Sequence, residues 1–203
     1  MTAILLAAGS ARRFGSQKLL ARLADGRMVV EAAAHNMRST GEEVIAVCAR
    51  KDQVARVLQD SGCRVVINSR AHEGMGTSIA CGVQASADAA HWLIALGDMP
   101  FIQPGTMSAV RAALDKEMEI VIPTFGKHRG HPVAFSAAFG ADLSALCGDM
   151  GARSVIAAHP GCVRLLETGD AGILADIDTP ADLVEVDKIR ARHDDVSARA
   201  GGS

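Results

Sequence analysis

Two kinds of hydrophobic pattern alternate along the chain. Residues 3–8, 44–49, 65–67, 90–96 and 120–123 form short apolar runs with almost no charge. Such runs read as strands buried on both faces, as in a parallel sheet. Between them lie longer stretches with helical spacing. Residues 28–37 are apolar at most positions and predict a mostly buried helix ended by Gly41. Residues 51–59 place Val54, Val57 and Leu58 on one face, with Asp52, Arg56 and Gln59 elsewhere, and Gly62 closes the segment. A further helix begins near Gly76. Residues 103–114 set Met107, Val110, Ala113 and Leu114 towards a core, and residues 136–146 predict another helix. A short strand is expected from Val133 and another at residues 163–166. This strand–helix–strand rhythm predicts an α/β fold, a single domain with a mostly parallel, Rossmann-like sheet and right-handed crossovers.

Composition narrows the function. The chain has 203 residues, 49% hydrophobic and 22% charged, enough for one α/β domain with a substantial core. A net charge of −2 supplies no basic field for nucleic acid. Aromatic residues are 3%, with no Tyr and Trp92 as the one Trp, so base-stacking platforms for single strands are not expected. The N-terminal apolar run is too short to span a membrane and lacks a signal-peptide layout, which predicts a cytoplasmic protein. Cys48, Cys63, Cys81, Cys147 and Cys162 are odd in number, widely spaced and without a C-x-x-C pair. They suggest neither a disulfide framework nor zinc, and read mostly as small buried hydrophobes.

The candidate chemistry begins where the first strand ends. Gly9-Ser10-Ala11-Arg12-Arg13-Phe14-Gly15-Ser16-Gln17-Lys18 carries two glycines, two arginines and a lysine. Glycines allow backbone N–H groups close to a ligand, and fixed cations beside them suit a polyphosphate. The loop is neither a Walker A nor a Gly-x-Gly-x-x-Gly dinucleotide loop, because Gly15 is followed by Ser16 and the glycine spacings differ. An ordinary βα turn with solvated basic residues is the plain alternative.

Five later segments carry further candidate chemistry, the first of them at the same sheet edge as this loop. Asn68 to Gly82 is a polar, Gly-rich stretch after the third strand, where Gly74 and Gly76 would let backbone reach a base or ribose, or simply form a surface loop. Gly97-Asp98-Met99-Pro100 follows the fourth strand. A carboxylate there suits Mg²⁺, which takes one or two carboxylates plus phosphate oxygens, although Asp98 alone would serve equally as a cap. His128-Arg129-Gly130-His131-Pro132 forms a cationic or hydrogen-bonding cluster whose two histidines lack a third ligand for a metal. Gly148-Asp149-Met150-Gly151-Ala152-Arg153 places an Arg near a helix start, a ligand for a second phosphate or a surface residue. Asp176 and Asp178 alternate along an extended segment and point the same way, so either could join Asp98 at a metal, with Asp178 favoured. Thr179-Pro180 marks a helix start, and residues 193–203 read as a disordered tail.

Taken together, these strings resemble the nucleotidyltransferases (pyrophosphorylases). Leu6-Ala7-Ala8-Gly9, Arg13-Phe14-Gly15 and Lys18 look like their signature L-A-A-G-x-S-x-R-x-G-x-x-K, with Ala11 where the family usually has Ser. The Asn68…Gly74…Ser78 stretch and Gly97-Asp98-Met99-Pro100 resemble the family's nucleotide-lining segment and its G-D-x-P motif. Gly130-His131-Pro132-Val133 and the 148–153 stretch are similar to one branch, the molybdenum cofactor cytidylyltransferases. The resemblance implies a three-layer domain of the nucleotide-diphospho-sugar transferase type over residues 1–192. It implies a nucleotide site of Leu6, Ala7, Ala8, Gly9, Ser10, Arg13, Gly15, Lys18, Asn68, Gly74, Met75, Ser78, Gly97 and Asp98. Arg13, Lys18 and Asp98 would be catalytic. Asp98 and Asp178 would bind Mg²⁺. His128, Gly130, His131, Pro132 and Arg153 would face the acceptor. The implied reaction is CMP transfer from CTP to molybdopterin with release of pyrophosphate, followed by delivery of the product to a recipient molybdoenzyme. A guanylyl or sugar-phosphate transferase of the same fold, and a non-catalytic molybdopterin chaperone, are the competing readings.

Overall fold

β1 (Thr2–Leu6) lies inside an eight-stranded sheet with all five of its residues buried, the environment its uncharged sequence requires. The computed structural model describes residues 1–9, 18–115, 117, 119–179 and 181–183. A 3-10 turn (Lys18–Leu20) leads into α1 (Val29–Arg38), β2 (Glu43–Cys48), α2 (Gln53–Asp60) and β3 (Arg64–Ile67). After a second 3-10 turn (Ala71–Glu73) come α3 (Met75–Gln84), β4 (His91–Leu96), α4 (Pro104–Ala113) and β5 (Ile120–Phe125). The chain continues through β6 (His128–Arg129), β7 (Val133–Ser136), α5 (Gly140–Ser144), α6 (Arg153–Ala158) and β8 (Val163–Glu167).

The strand order is β3-β2-β1-β4-β7-β5-β6, with β8 also paired to β5. The β1–β2, β1–β4, β2–β3 and β5–β8 pairs are parallel, whereas β7 runs against β4 and β5 and β6 runs against β5. The chain first steps outward from β1 to β3, then returns across the sheet through α3 to lay β4 on the other side of β1. The strand order therefore reverses between β1 and β4, the kind of switch point where open α/β sheets bind ligands.

Alternation along the strands splits the core into two layers. Ala3, Leu5, Val44, Ala46, Leu93 and Ala95 face a cluster with Val30, Ala34, Met37, Leu58 and Met107 from α1, α2 and α4. Ile4, Leu6, Ile45, Val47, Trp92 and Ile94 face Ile79, Val83, Leu143 and Val155 from α3, α5 and α6. The result is the expected three-layer arrangement.

Element ends follow local chemistry. α2 starts at Gln53 because Asp52 is its N-cap, its carboxylate accepting from Val54 N (3.0 Å) and Ala55 N (3.3 Å). α4 starts on Pro104, whose missing N–H costs nothing in a first turn. The expected helix over 136–146 is shorter. Ser136 is fully buried as the last residue of β7, paired with His91, and its hydroxyl accepts from Glu119 N (3.2 Å). A 3-10 turn (Ala137–Phe139) follows, and only Gly140–Ser144 is α-helical. Of the cysteines, Cys48 and Cys63 are buried, with burial pushing their thiols up to about 12 and about 11. Cys147 is exposed, and Cys81 and Cys162 are half-buried. No described helix is long and apolar enough to cross a membrane. The tail over 193–203 lies outside the described residues.

Candidate active site

The register pairs Leu6 with both Val47 and Leu96, so β1 and β4 end level with one another. Gly97 N donates to Leu6 O (2.9 Å), which ties the exits of the two strands together. Asp98 is the next residue. Its turn is anchored from α1, where Asn36 Nδ2 donates to Pro100 O (2.8 Å) and Ile102 O (3.0 Å). Its backbone oxygen accepts from Ile177 N at 2.9 Å. Ile177 is fully buried in the same layer as α1 and α4. That one backbone bond brings a segment eighty residues downstream to the ends of β1 and β4, and puts Asp178 beside Asp98.

Lys18 closes the group. Its Nζ lies 2.7 Å from Asp98 Oδ2 and 2.8 Å from Asp178 Oδ1, with the Lys18 side chain 13% exposed, Asp98 21% and Asp178 47%. Asp98 Oδ1 is shielded from solvent and has no hydrogen-bond partner among the described residues. Burial is the largest single influence on Lys18 and opposes its charge, but hydrogen bonds and attraction from the two aspartates outweigh it and raise its pKa. Asp176 shares this field. Burial chiefly, with the charges of Asp178 and Asp98, raises its carboxyl pKa, while a backbone hydrogen bond and Lys18 act the other way. Of the two alternating aspartates, Asp178 is the one that reaches Lys18.

This donor set fits a hard divalent cation. Two carboxylates converge on one position, and one of them keeps a buried oxygen without a partner. Among the described residues no group of three or more His, Cys, Asp or Glu forms a metal cage. Mg²⁺ held by one or two carboxylates and phosphate oxygens does not require such a cage.

His131 borders the same position. Its backbone N donates to Ile173 O (3.1 Å), and a Cβ at the preceding Gly130 would overlap that same carbonyl, so only glycine lets the two segments approach. Burial lowers the His131 pKa, against a hydrogen bond at the Ile94 backbone and the charge of Asp98, and the nearby Arg153 adds to the lowering. Burial therefore favours the neutral imidazole, and its Nδ1 is buried without a partner among the described residues. Arg153 is the first residue of α6 and is exposed. Pro132 is buried, whereas His128 is exposed on the β5–β6 hairpin.

The third-strand loop is braced internally. Asn68 is buried, and its Nδ2 donates to Thr77 Oγ1 (2.9 Å) and Ser78 Oγ (3.1 Å). Gly74 has φ +125°, and a Cβ there would overlap the Gly148 backbone, while Gly76 N donates to Gly148 O (2.8 Å). The 74–76 and 147–151 stretches therefore pack as one unit, with Met75 46% exposed at its surface.

The structure thus brings together Lys18, Asp98 and Asp178, sets His131 within electrostatic reach of Asp98 and of the exposed Arg153, and places Leu6, Ala7, Ala8, Gly9 and Gly97 along the adjoining strand ends. Ser10, Arg13 and Gly15 lie outside the described residues. Sequence reasoning missed the supports. Asn36 and Thr77 carry no local signature. Asp182 does, because Thr179-x-x-Asp182 has capping-box spacing. Its carboxylate accepts from Asp178 N (2.8 Å) and Thr179 N (2.6 Å), fixing the backbone that presents Asp178.

Comparison with known proteins agrees with this architecture. The family profile described as MobA-like NTP transferase domain matches residues 3–163. A nicotine blue oxidoreductase from Paenarthrobacter nicotinovorans is 31% identical over 88% of this chain and 92% of its own. A probable molybdenum cofactor guanylyltransferase from a Geobacillus strain is 24% identical over 60% of this chain and 62% of its own. Among solved structures, a nucleotidyl transferase from Methanothermobacter (Mth528) superposes with TM-score 0.80 at 24% identity, covering 95% of this chain and 98% of that one. At that identity the superposition establishes the fold.

Proposed function

The chain belongs to the MobA-like NTP transferase family, and from that premise we propose that it transfers CMP from CTP to molybdopterin with release of pyrophosphate. The observation that carries the reading is the Lys18–Asp98–Asp178 cluster at the sheet's switch point. Such a site handles phosphates by positioning and charge rather than by a covalent nucleophile.

In this account an ionised oxygen of the acceptor's terminal phosphate attacks the α-phosphorus in line. The bond from the α-phosphorus to the oxygen bridging to the β-phosphorus breaks, and pyrophosphate leaves with that electron pair. No proton has to move, because the attacking phosphate is already ionised at pH 7. Lys18 turns its ammonium to the triphosphate, with Gly9, Ser10, Arg13 and Gly15 completing the cradle implied by the signature. Met75 and the braced Asn68–Ser78 loop border the base and ribose. Asp98 and Asp178 would hold Mg²⁺, which supplies charge neutralisation on the phosphate oxygens. His131, flanked by Gly130 and Pro132, offers a hydrogen bond to the acceptor phosphate, and Arg153, with His128 further out, offers positive charge.

The test is pyrophosphate release by the purified protein with Mg²⁺, comparing CTP, GTP, ATP and UTP with and without molybdopterin. Pterin-dependent release selective for CTP is the expected result. Selectivity for GTP would keep the chemistry and replace the base, as the name of the Geobacillus relative suggests. No release with any nucleotide, together with turnover of nicotine blue, would favour instead the redox reading suggested by the name of the Paenarthrobacter relative.

A further inference from the structure

We infer that Lys18 acts as an internal placeholder, occupying the position between Asp98 and Asp178 until a nucleotide draws it away, so that metal and nucleotide enter the site together. The inference rests on the functional reading above but concerns a property that reading does not require, the order and coupling of binding.

The geometry is that of an ammonium standing where a divalent cation would stand. Lys18 Nζ spans both carboxylates at 2.7 Å and 2.8 Å in a partly buried setting. The two carboxylates hold the ammonium by charge-assisted hydrogen bonds on both sides. It leaves only for another anion. A divalent cation arriving alone must displace a bound ammonium and then sit beside it, making the cluster net positive. A triphosphate removes that obstacle, because its oxygens accept the Lys18 ammonium and offer ligands to the metal. If the ammonium holds the pair closed for nine-tenths of the time, apparent metal affinity falls about tenfold below the intrinsic value. Nucleotide then raises metal affinity, and by linkage metal raises nucleotide affinity to the same degree.

The experiment titrates Mn²⁺ into the full chain, following free Mn²⁺ by its paramagnetic resonance signal, with and without α,β-methylene-CTP and with no pterin. Wild type, Lys18→Ala, Lys18→Met and Asp98→Asn are compared after thermal melts identify the variants that fold; Met keeps the apolar stem of Lys18 if Ala does not. The expected result has an unusual sign. Without nucleotide, Lys18→Ala and Lys18→Met bind Mn²⁺ at least about tenfold more tightly than wild type, while both bind the nucleotide analogue more weakly. The gain in Mn²⁺ affinity on adding the analogue is smaller in the Lys18 variants than in wild type. Equal Mn²⁺ affinity in wild type and Lys18 variants without nucleotide, with Asp98→Asn abolishing the nucleotide-dependent binding, overturns the placeholder and leaves the metal site standing. Absence of Mn²⁺ binding in every protein, with or without nucleotide, overturns the metal reading and the placeholder with it.

Discussion

Replacing Asp98 by Ala removes the carboxylate that faces Lys18 and its buried Oδ1, but leaves the backbone oxygen that accepts from Ile177 N. The strap carrying Asp178 should therefore stay in place. Turnover of the Asp98→Ala protein is expected to fall by roughly 10²- to 10³-fold or more, with a urea midpoint close to wild type, read by pyrophosphate release and by denaturation. Near-normal Mg²⁺-dependent turnover would remove Asp98 from the mechanism. Lys18, Asp98 and Asp178 could each be singled out in the sequence, Lys18 at the end of the glycine-rich loop, Asp98 after a strand and Asp178 in an extended segment. Their convergence could not be. It depends on Ile177 N donating to Asp98 O and on Asn36 holding the turn after Asp98, contacts between residues 79 and 64 positions apart that no local pattern announces.

Two helix starts lie within two residues of their expected bounds, at Gln53, capped by Asp52, and at Pro104, where a proline opens the first turn. Element ends were not legible where tertiary packing decides. The strand from Val133 continues through Ser136, where a helix was expected to take over. The buried hydrogen bond from Glu119 N to Ser136 Oγ and the pairing with His91 keep that residue in the sheet. Loop packing can be tested at this scale. Gly74→Ala places a side chain at φ +125° and against the Gly148 backbone, and should cost about 1–3 kcal/mol. Gly148→Ala also sits at positive φ (+64°) but meets no atom within 4 Å, so its cost should be nearer 1 kcal/mol, the lower end set by backbone preference alone. Urea midpoints of the two variants check this. Equal losses would show that the 74–76 and 147–151 stretches are not locked together.

For the whole molecule, the alternation of uncharged strands with helical stretches was enough to predict the α/β class and a mostly parallel sheet. The reversed β7 was not readable, because a strand buried on both faces has the same composition whichever way it runs, and β6 is too short to read, being only the two exposed residues His128 and Arg129. What the topology adds is position. The return of α3 over β2 and β1 creates the switch point at which Gly9, Asp98 and, through Ile177, Asp178 all arrive. If this convergence transfers a nucleotidyl group, the α-phosphate itself must move to the acceptor. The protein is incubated with α-³²P-labelled CTP, Mg²⁺ and molybdopterin, and the pterin fraction is separated. Label is expected in a pterin dinucleotide, in amounts matching the pyrophosphate released. Pyrophosphate without labelled pterin, or label remaining entirely in CTP, would contradict that transfer.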